Sequence, residues 1–186
     1  MENPYLKGRG AQHSLPNKFE QQHVEYDDFV TGENAEQGVR TQLLHQEAKQ
    51  IVNKVDSPDL GFEYSLNPYQ GCEHGCIYCY ARNSHEYWGF NSGIDFESKI
   101  VIKSNAPELL EDYLLKLKEE VRPIVLSGNT DCYQPIERKF GITRKLLEVF
   151  AKYRYPVSII TKNSLVVRDL DLLQDLASDN LVHVMV

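Results

Sequence analysis

Three cysteines lie within eight residues of this chain, and their spacing constrains the surrounding structure more than any other feature. Cys72, Cys76 and Cys79 follow the pattern Cys-x3-Cys-x2-Cys in a loop directly after a strand-like run. Thiolates this close together act as a ligand set for a soft metal or an iron–sulfur cluster. A cubic iron–sulfur cluster normally takes four cysteines, so a loop with three leaves one iron open to another ligand. The spacing therefore predicts a metal centre with one vacant position.

The same cysteines are compatible with two other kinds of metal site. Zinc sites usually combine two Cys-x2-Cys pairs, and here Cys132 and His74 are the candidates for a fourth zinc ligand. His74 lies inside the tight loop, where coordination alongside its neighbours would strain the backbone. A cluster that only transfers electrons is the other alternative. The residues alone therefore leave open a zinc-binding module and an electron-transfer module.

Composition indicates a globular protein of a reducing compartment. The 186 residues are 41% hydrophobic and 25% charged, and no apolar run approaches the roughly 18–20 residues that cross a bilayer. The N-terminus lacks the basic and then apolar build of a secretory signal, and crowded cysteines would make strained disulfides. We therefore expect a cytoplasmic location and no membrane partner. The net charge of −7 counts against a broad nucleic-acid-binding face but is compatible with a local basic groove.

The polarity and periodicity of the sequence change near residue 55. Residues 1–55 are polar and weakly periodic, which predicts an irregular N-terminal arm with at most one short helix near Thr41–Ile51. From residue 56 onward, short apolar or β-branched runs alternate with amphipathic segments. The predicted strands are residues 62–66, 98–103, 123–128, 156–162 and 181–186. The predicted helices are residues 80–88, 105–117, 143–150 with Thr143 as the N-cap, and 170–176.

This alternation places the chain in the α/β class, because βα units build a parallel sheet. No helix pattern follows the last strand. We therefore expect residues 56–186 to be the N-terminal half of a (β/α) barrel, with about four parallel strands, in an N-terminal fragment of a longer protein. A complete small α/β protein is the alternative. Functional side chains of a barrel gather at the C-terminal strand ends, which here are Ser127–Asp131 and Thr161–Asn163.

Several segments together resemble one enzyme superfamily. Cys72–Cys79 matches the Cys-x3-Cys-x-aromatic-Cys signature of radical S-adenosylmethionine (radical SAM) enzymes. The segments Asn67–Cys72, Cys79–Arg82 and Thr130–Glu137 resemble the branch of that superfamily related to spore photoproduct lyase, whose members are often labelled DNA repair photolyase-like. Lys7–Ala11 in the arm is also similar to this branch. The resemblance thus covers nearly the whole chain.

The resemblance implies an enzyme with a (β/α) barrel of the radical SAM type. Cys72, Cys76 and Cys79 would be the metal ligands of a 4Fe-4S cluster, and S-adenosyl-L-methionine (SAM) would bind the open iron. Reductive cleavage of SAM would give a 5′-deoxyadenosyl radical that abstracts a hydrogen atom, while the protein orients the cofactor. The branch implies a lyase-type reaction on a nucleic-acid lesion or base. It also implies a reductant such as a flavodoxin or ferredoxin as partner.

The resemblance further implies which residues bind SAM. The aromatic residue of the signature would lie near adenine, and the end of the second barrel strand would meet the methionine amino group. This chain has Ser-Gly-Asn there and departs from the common Gly-Gly-Glu. Polar residues after the third strand would meet the ribose or the carboxylate. The candidate cofactor-binding residues are Tyr78, Ser127, Gly128, Asn129, Thr161 and Lys162.

Two further residues are catalytic candidates. The resemblance implies that Cys132 would return a hydrogen atom to the product radical, and Asp131 is the acid that ends the segment after the second barrel strand. Each candidate outside the cysteine loop also has an ordinary interpretation. Asp131 is also interpretable as a turn residue, Cys132 as a buried thiol, Lys162 as a surface lysine and Tyr78 as a packed aromatic residue.

Overall fold

The computed structural model of the protein describes residues 6–14, 17–19, 40–118 and 120–186. The remaining residues of the predicted arm therefore lie outside the described part. The chain divides into two compact units. The first unit comprises Met1–Leu44 and Gln70–Val101, and the second comprises His45–Tyr69 and Ile102–Val186. The predicted boundary between residues 55 and 56 stays a prediction.

Short strands and helices alternate through the C-terminal two thirds of the chain. The strands are β1 Gln42–Gln46, β2 Val52–Lys54, β3 Tyr64–Leu66, β4 Tyr69–Gln70, β5 Lys99–Lys103, β6 Ile124–Leu126, β7 Val157–Ile160 and β8 Val182–Met185. The α-helices are α1 Ile94–Ser98, α2 Ala106–Lys116, α3 Glu137–Phe140, α4 Ile142–Lys152 and α5 Leu170–Ser178. Two 3-10 helices span Tyr80–Trp88 and Ser164–Asp169. Each predicted strand and helix after residue 56 has a counterpart among these elements.

The second unit is built on a five-stranded sheet with the strand order β2-β3-β6-β7-β8. The pairs β3–β6, β6–β7 and β7–β8 are parallel, and β2 pairs with β3 in the antiparallel sense. The four parallel strands are the four predicted barrel strands. Their apolar runs suit a sheet that is covered by helices, which is how parallel sheets are normally stabilised. The fold is therefore a partial (β/α) barrel, as the sequence predicted.

Amphipathic helices cover this sheet. Helix α2 packs against α4, and α4 packs against α5. Pro107 lies in the first turn of α2, where a missing backbone N–H costs nothing. Burial of each large apolar side chain contributes about 1.5–3 kcal/mol, so the inner helix faces account for much of the core. The buried residues on these faces are Leu110, Leu146, Leu147, Phe150, Leu173 and Leu176.

The predicted N-cap of α4 is wrong. The helix begins at Ile142, and its N-cap is Gly141, which has a φ of +62°. The Thr143 hydroxyl donates to the Cys132 carbonyl at 2.6 Å, and the Thr143 N–H donates to the Glu137 carboxylate. The threonine therefore serves tertiary contacts, and a glycine makes the sharp turn between α3 and α4 because that backbone conformation favours glycine.

The arm also differs from the sequence-based expectation. The helix considered near Thr41–Ile51 is absent, and strand β1 occupies Gln42–Gln46 instead. Strands β1, β5 and β4 form a three-stranded sheet in that order, and β2 adds an antiparallel edge to the larger sheet through Val52 opposite Leu66. Within the described ranges, no helix has the length and apolar character needed to cross a membrane.

Candidate active site

In the first unit, the cysteine loop begins directly after β4. Gly71 has a φ of +82°, and a Cβ there would lie 2.8 Å from the Lys99 carbonyl oxygen and 3.0 Å from that of Phe96. The Cys72 N–H donates to the Phe96 carbonyl at 2.8 Å. Cys72 itself is buried and packs with Ala81 and Phe96. A glycine is therefore required at the entry to the loop, and the first cysteine is held from both backbone and side chain.

The thiol groups provide the right donor chemistry for an iron–sulfur cluster. Cys76 and Cys79 are half-buried, and the Cys79 N–H donates to the Cys76 carbonyl at 3.3 Å. All three loop cysteines are free thiols. Among the described residues, no three His, Cys, Asp or Glu side chains lie close enough together to hold a metal ion. The fit therefore rests on donor type and loop architecture, and the ligand role of the cysteines stays a prediction.

A buried ion pair contacts the backbone of the cysteine loop. Glu97 is fully buried and pairs with Arg82. The same guanidinium donates to the Cys76 carbonyl at 2.9 Å and to the Gly93 carbonyl at 3.2 Å. Sequence reasoning assigned no role to Glu97 or Arg82. Arg82 is the last residue of Cys79–Arg82, one of the segments that carried the resemblance. The sequence therefore drew attention to Arg82 but did not predict its contact with Cys76.

His85 is an unusual buried group of the first unit. Its ring is fully buried, and neither ring nitrogen has a hydrogen-bond partner among the described residues. The ring packs against Phe90 and Phe96, with centroid distances of 5.0 and 5.6 Å. Burial lowers the pKa of His85 to about 4, with Asp95 opposing and Lys99 adding to that shift. His85 is therefore a neutral, largely apolar packing residue at pH 7.

The aromatic residue of the signature is exposed in the first unit. Tyr78 has 79% of its surface exposed, and its neighbours Ile77 and Tyr80 are exposed to a similar degree. This part of the loop therefore presents apolar and aromatic side chains to the outside of the described structure. The predicted contact of Tyr78 with adenine stays a prediction.

In the second unit, Asp131 joins the ends of two neighbouring strands. Its Oδ1 accepts hydrogen bonds from the Thr161 hydroxyl at 2.7 Å and from the Tyr133 N–H at 2.8 Å. Its Oδ2 accepts from the Lys162 N–H at 3.0 Å. The structure therefore brings together Asp131, Thr161 and Lys162, which the sequence placed at adjacent strand ends. Both carboxylate oxygens already have protein donors, so Asp131 acts here as a clamp between the segments after β6 and β7.

The segment after β6 is also tied to the end of β3. Ser127 has a φ of +87°, uncommon for a residue with a side chain, and its N–H donates to the Leu66 carbonyl at 3.1 Å. The Asn129 N–H donates to Asn67 Oδ1 at 2.9 Å, and the buried Lys103 ammonium donates to the Asn67 carbonyl at 3.1 Å. Burial lowers the pKa of Lys103 to about 8. Sequence reasoning did not single out Asn67 or Lys103, although Asn67 begins one of the resembling segments.

Cys132 is fully buried in the second unit. Its N–H donates to Ser127 Oγ at 2.7 Å, and its carbonyl accepts from Thr143. Burial raises the pKa of the Cys132 thiol well above its usual range. The thiol is therefore neutral and enclosed, which agrees with the packing interpretation. Its role as a hydrogen-atom donor stays a prediction.

The segment Thr130–Glu137 ends in a second buried network. Glu137 is fully buried and accepts from the Tyr69 hydroxyl, the Thr143 N–H and Arg168. The same Arg168 pairs with buried Asp169, which also accepts from the Tyr133 hydroxyl at 3.1 Å. A buried carboxylate is costly unless it is paired and hydrogen-bonded, and here each has several donors. The motif that carried the resemblance therefore contributes structural contacts of the second unit.

Comparison with known families identifies the class of this protein. A model of the radical SAM superfamily matches residues 66–186, which include the cysteine loop and the parallel strands β6, β7 and β8. The chain therefore belongs to the radical SAM superfamily. Membership supports an enzyme, and it implies SAM and a 4Fe-4S cluster as cofactors.

Relatives of this chain come from bacteria and archaea. It is 37% identical over 139 residues to uncharacterized proteins of Mycobacterium tuberculosis and Mycobacterium bovis, a match that covers 74% of this chain and 41% of theirs. It is 34% identical over 139 residues to an uncharacterized protein of Methanocaldococcus jannaschii, with 75% of this chain and 49% of that protein covered. The chain thus spans about two fifths to one half of the length of these curated relatives.

One similar solved structure is a double mutant of spore photoproduct lyase with bound AdoMet and dinucleoside spore photoproduct. The TM-score is 0.51 at 16% identity, and the match covers 76% of this chain and 38% of that one. At this identity the likeness concerns the fold alone. It confirms, at that level, the predicted relation to spore photoproduct lyase.

Proposed function

We propose that this chain is the cluster-binding and SAM-binding part of a radical SAM enzyme that generates a 5′-deoxyadenosyl radical. The observation that carries the proposal is the Cys72–Cys79 loop with three free thiols, inside the region that matches the superfamily. When bound, a 4Fe-4S cluster with SAM supplies the electron and the sulfonium whose cleavage yields the radical.

The residues of the chain have three tasks in this proposal. Cys72, Cys76 and Cys79 hold three corners of the cluster as thiolates, which are the ligands that such clusters require. The glycines before and within the loop, Gly71 and Gly75, allow backbone amides to approach the sulfurs closely, since both have positive φ angles. Cys72 is buried, so its side of the loop excludes water, and this strengthens the contacts between the amides and the sulfurs.

The strand ends of the second unit are the proposed SAM-binding elements. Ser127, Gly128 and Asn129 offer backbone groups after β6, and Thr161 and Lys162 offer polar groups after β7. In a barrel, the C-terminal strand ends are the usual place for such contacts. The clamp described above makes Asp131 a positioning residue for Thr161 and Lys162 in this proposal.

The proposal also includes a substrate class, a reaction type, a reductant and a compartment. A nucleic-acid lesion or base is the substrate class to test first, in a lyase-type reaction, because the likeness in fold is to a lyase with a dinucleoside ligand. The net charge of −7 requires that any nucleic-acid contact be local. A flavodoxin or ferredoxin is the proposed reductant. Three free thiols and an oxygen-sensitive cluster would suit the cytoplasm, which is reducing.

Anaerobic reconstitution with iron and sulfide tests the function directly. We expect brown protein with iron and sulfide bound, and an EPR signal of the reduced cluster that changes when SAM is added. Alanine in place of Cys72, Cys76 or Cys79 should abolish cluster retention, because two thiolates do not hold the cube. The matched control is Cys132→Ala, which removes a buried thiol at a cost of about 1 kcal/mol and should retain iron.

Two outcomes of this experiment would contradict the proposal. Colourless protein with bound zinc would identify a zinc-binding module. A cluster whose EPR signal is indifferent to SAM would identify an electron-transfer module. Iron content is measured first, since it does not require the parts of the relatives that this chain does not span.

A further inference from the structure

We propose that the arm segment Arg9–Ala11 is a positioning element of the cluster site, which holds the cysteine loop in its metal-binding conformation and shields one side of it. This inference rests on the proposed function, because it assigns residues to the same cluster loop. All of the contacts involved lie within the first unit. None of the arm residues falls inside residues 66–186, the region that matches the superfamily.

Two glycines lie against each other where the arm meets the loop. A Cβ on Gly10 would lie 2.0 Å from the Gly75 carbonyl oxygen and 2.9 Å from its carbon, far below any normal contact. Gly75 has a φ of +61°, and a Cβ on it would in turn lie 3.1 Å from the Gly10 nitrogen. The arm backbone therefore lies directly on the loop backbone between Cys72 and Cys76, and any side chain at residue 10 would force them apart.

Buried Glu97 connects the arm to the loop. Its carboxylate accepts from the Gly10 N–H at 3.1 Å and from the Ala11 N–H at 2.8 Å. It also accepts from Arg82, whose guanidinium donates to the Cys76 carbonyl at 2.9 Å. A fully buried carboxylate needs all of these donors, because an unpaired buried charge is strongly unfavourable. Removing the arm amides would therefore disturb the ion pair that holds Cys76.

A second connection runs through side chains. Arg9 donates to the Glu97 carbonyl oxygen and to Thr41 Oγ1, the latter at 3.3 Å. The Thr41 hydroxyl donates to Glu73 Oε1 at 2.8 Å. Glu73 follows Cys72 in the loop, so the arm contacts reach Glu73, Gly75 and Cys76 in succession. The segment between the first two cysteines is thus contacted at the Glu73 carboxylate, the Gly75 backbone and the Cys76 carbonyl.

Two consequences follow for the cluster. A loop that is ordered before metal binding loses less conformational entropy when its three thiolates bind the cluster. The arm also forms a wall beside the third cysteine: a cavity of about 370 Å³ is lined by Gly10, Ala11, Cys79 and Arg82, among others. The arm therefore contributes to the solvent access of the cluster environment, and solvent access is one determinant of cluster potential.

The test compares Gly10→Ala with the matched control Gly61→Ala in the full chain. Gly61 has open space where its Cβ would lie. In the apoprotein, we expect amide hydrogen exchange of Cys72–Cys79 to rise about tenfold in Gly10→Ala and to stay at the wild-type rate in Gly61→Ala. If Gly10→Ala fails to fold, Thr41→Val replaces it, because this variant keeps the side-chain shape and removes the hydroxyl that accepts from Arg9 and donates to Glu73.

The iron-loaded protein gives a second readout. We expect the cluster of the arm variant to bleach several-fold faster in air, with a shifted reduction potential, because these properties report the surroundings of the sulfurs. A purely structural role of the arm would leave the potential unchanged. Exchange of the β6–β8 amides should remain at the wild-type rate in all variants.

Each remaining outcome decides against the inference. It is overturned if loop exchange in the arm variant equals that of wild type, or if loop exchange rises while air sensitivity and potential stay unchanged. If wild-type protein binds a cluster, only this inference fails in those cases. If wild-type protein binds none, the proposed function fails together with it.

Discussion

Single residues near the cysteine loop matter mainly because they fit the space available and because they are buried away from water. Gly71 and Gly10 occupy places where a side chain would collide with backbone atoms. His85 packs between Phe90 and Phe96, and no group in the described part of the chain forms a hydrogen bond with either of its ring nitrogens. The folded protein accommodates this ring without penalty only in its neutral form, because a buried unpaired charge is costly. The protonation of His85 should therefore couple to the stability of the protein.

The His85 ring predicts a specific pH dependence. Its pKa is about 4 in the folded protein and ordinarily 6.5, so between these values the unfolded chain binds a proton that the folded chain does not. The free energy of unfolding should therefore fall as pH falls from 6.5 to 4, by about 3 kcal/mol from this residue. We expect His85→Leu to lose this part of the pH dependence, as measured by denaturant unfolding at several pH values.

The control for this prediction is His183→Ala, because His183 is exposed on β8. It should keep the wild-type pH profile between 6.5 and 4. An unchanged profile in His85→Leu would show that the folded protein protonates His85 as readily as the unfolded chain does, and the assigned packing role would then be wrong.

At the scale of elements, the junction between α3 and α4 is organised by one carboxylate. Glu137 contacts the first turn of α4 through the Thr143 N–H, β4 through the Tyr69 hydroxyl, and the second 3-10 helix through Arg168. These partners are separated by 6 to 68 residues along the chain. The carboxylate thus replaces the ordinary side-chain cap that α4 lacks.

Replacing this carboxylate should destabilise the junction. In Glu137→Gln we expect the free energy of unfolding to fall by about 3 kcal/mol, because Arg168 loses one of its two charged partners and an amide satisfies fewer donors. Denaturant unfolding measures this change. The matched control, Glu148→Gln on the exposed side of α4, removes a 3.6 Å surface pair with Arg144 and should cost less than about 1 kcal/mol. Equal effects of the two changes would contradict the structural role of Glu137.

At the scale of the whole molecule, the two units carry different parts of the proposed chemistry. The cysteines belong to the first unit, and the parallel sheet with its polar strand ends belongs to the second. A ligand stabilises the part of a protein that binds it. Metal binding should therefore affect the two units unequally.

Iron removal tests this inequality. When the reconstituted protein is treated with a chelator under anaerobic conditions, we expect amide exchange in Gln70–Val101 to rise on the order of tenfold or more. Exchange in β6 and β7 should change little, and hydrogen-exchange mass spectrometry resolves both regions. A uniform rise across the two units, or none in Gln70–Val101, would contradict the assignment of the metal to the cysteine loop.

Local sequence patterns were sufficient for the fold class and for the loop. Mainly apolar runs after residue 56 predicted β6, β7 and β8, as is usual for strands of a parallel sheet, and an alternating run over residues 62–66 predicted β3. The spacing of Cys72, Cys76 and Cys79 predicted a ligand loop, because it concerns residues that are neighbours in the chain. The sequence placed Asp131, Thr161 and Lys162 at C-terminal strand ends, and the structure joins them through hydrogen bonds.

The tertiary structure decided what depends on distant partners. Gln42–Gln46 is a strand because β5, more than fifty residues later, pairs with it, and weak local periodicity did not reveal that partner. Thr143 became a contact of Cys132 and Glu137, and Gly10 met Gly75, for the same reason. Sequence alone thus determined the elements after residue 56 and the cysteine spacing, since these are set by local chemistry. Only the folded chain showed how Glu97, Glu137 and the arm support them, because long-range pairing depends on the packing of the whole core.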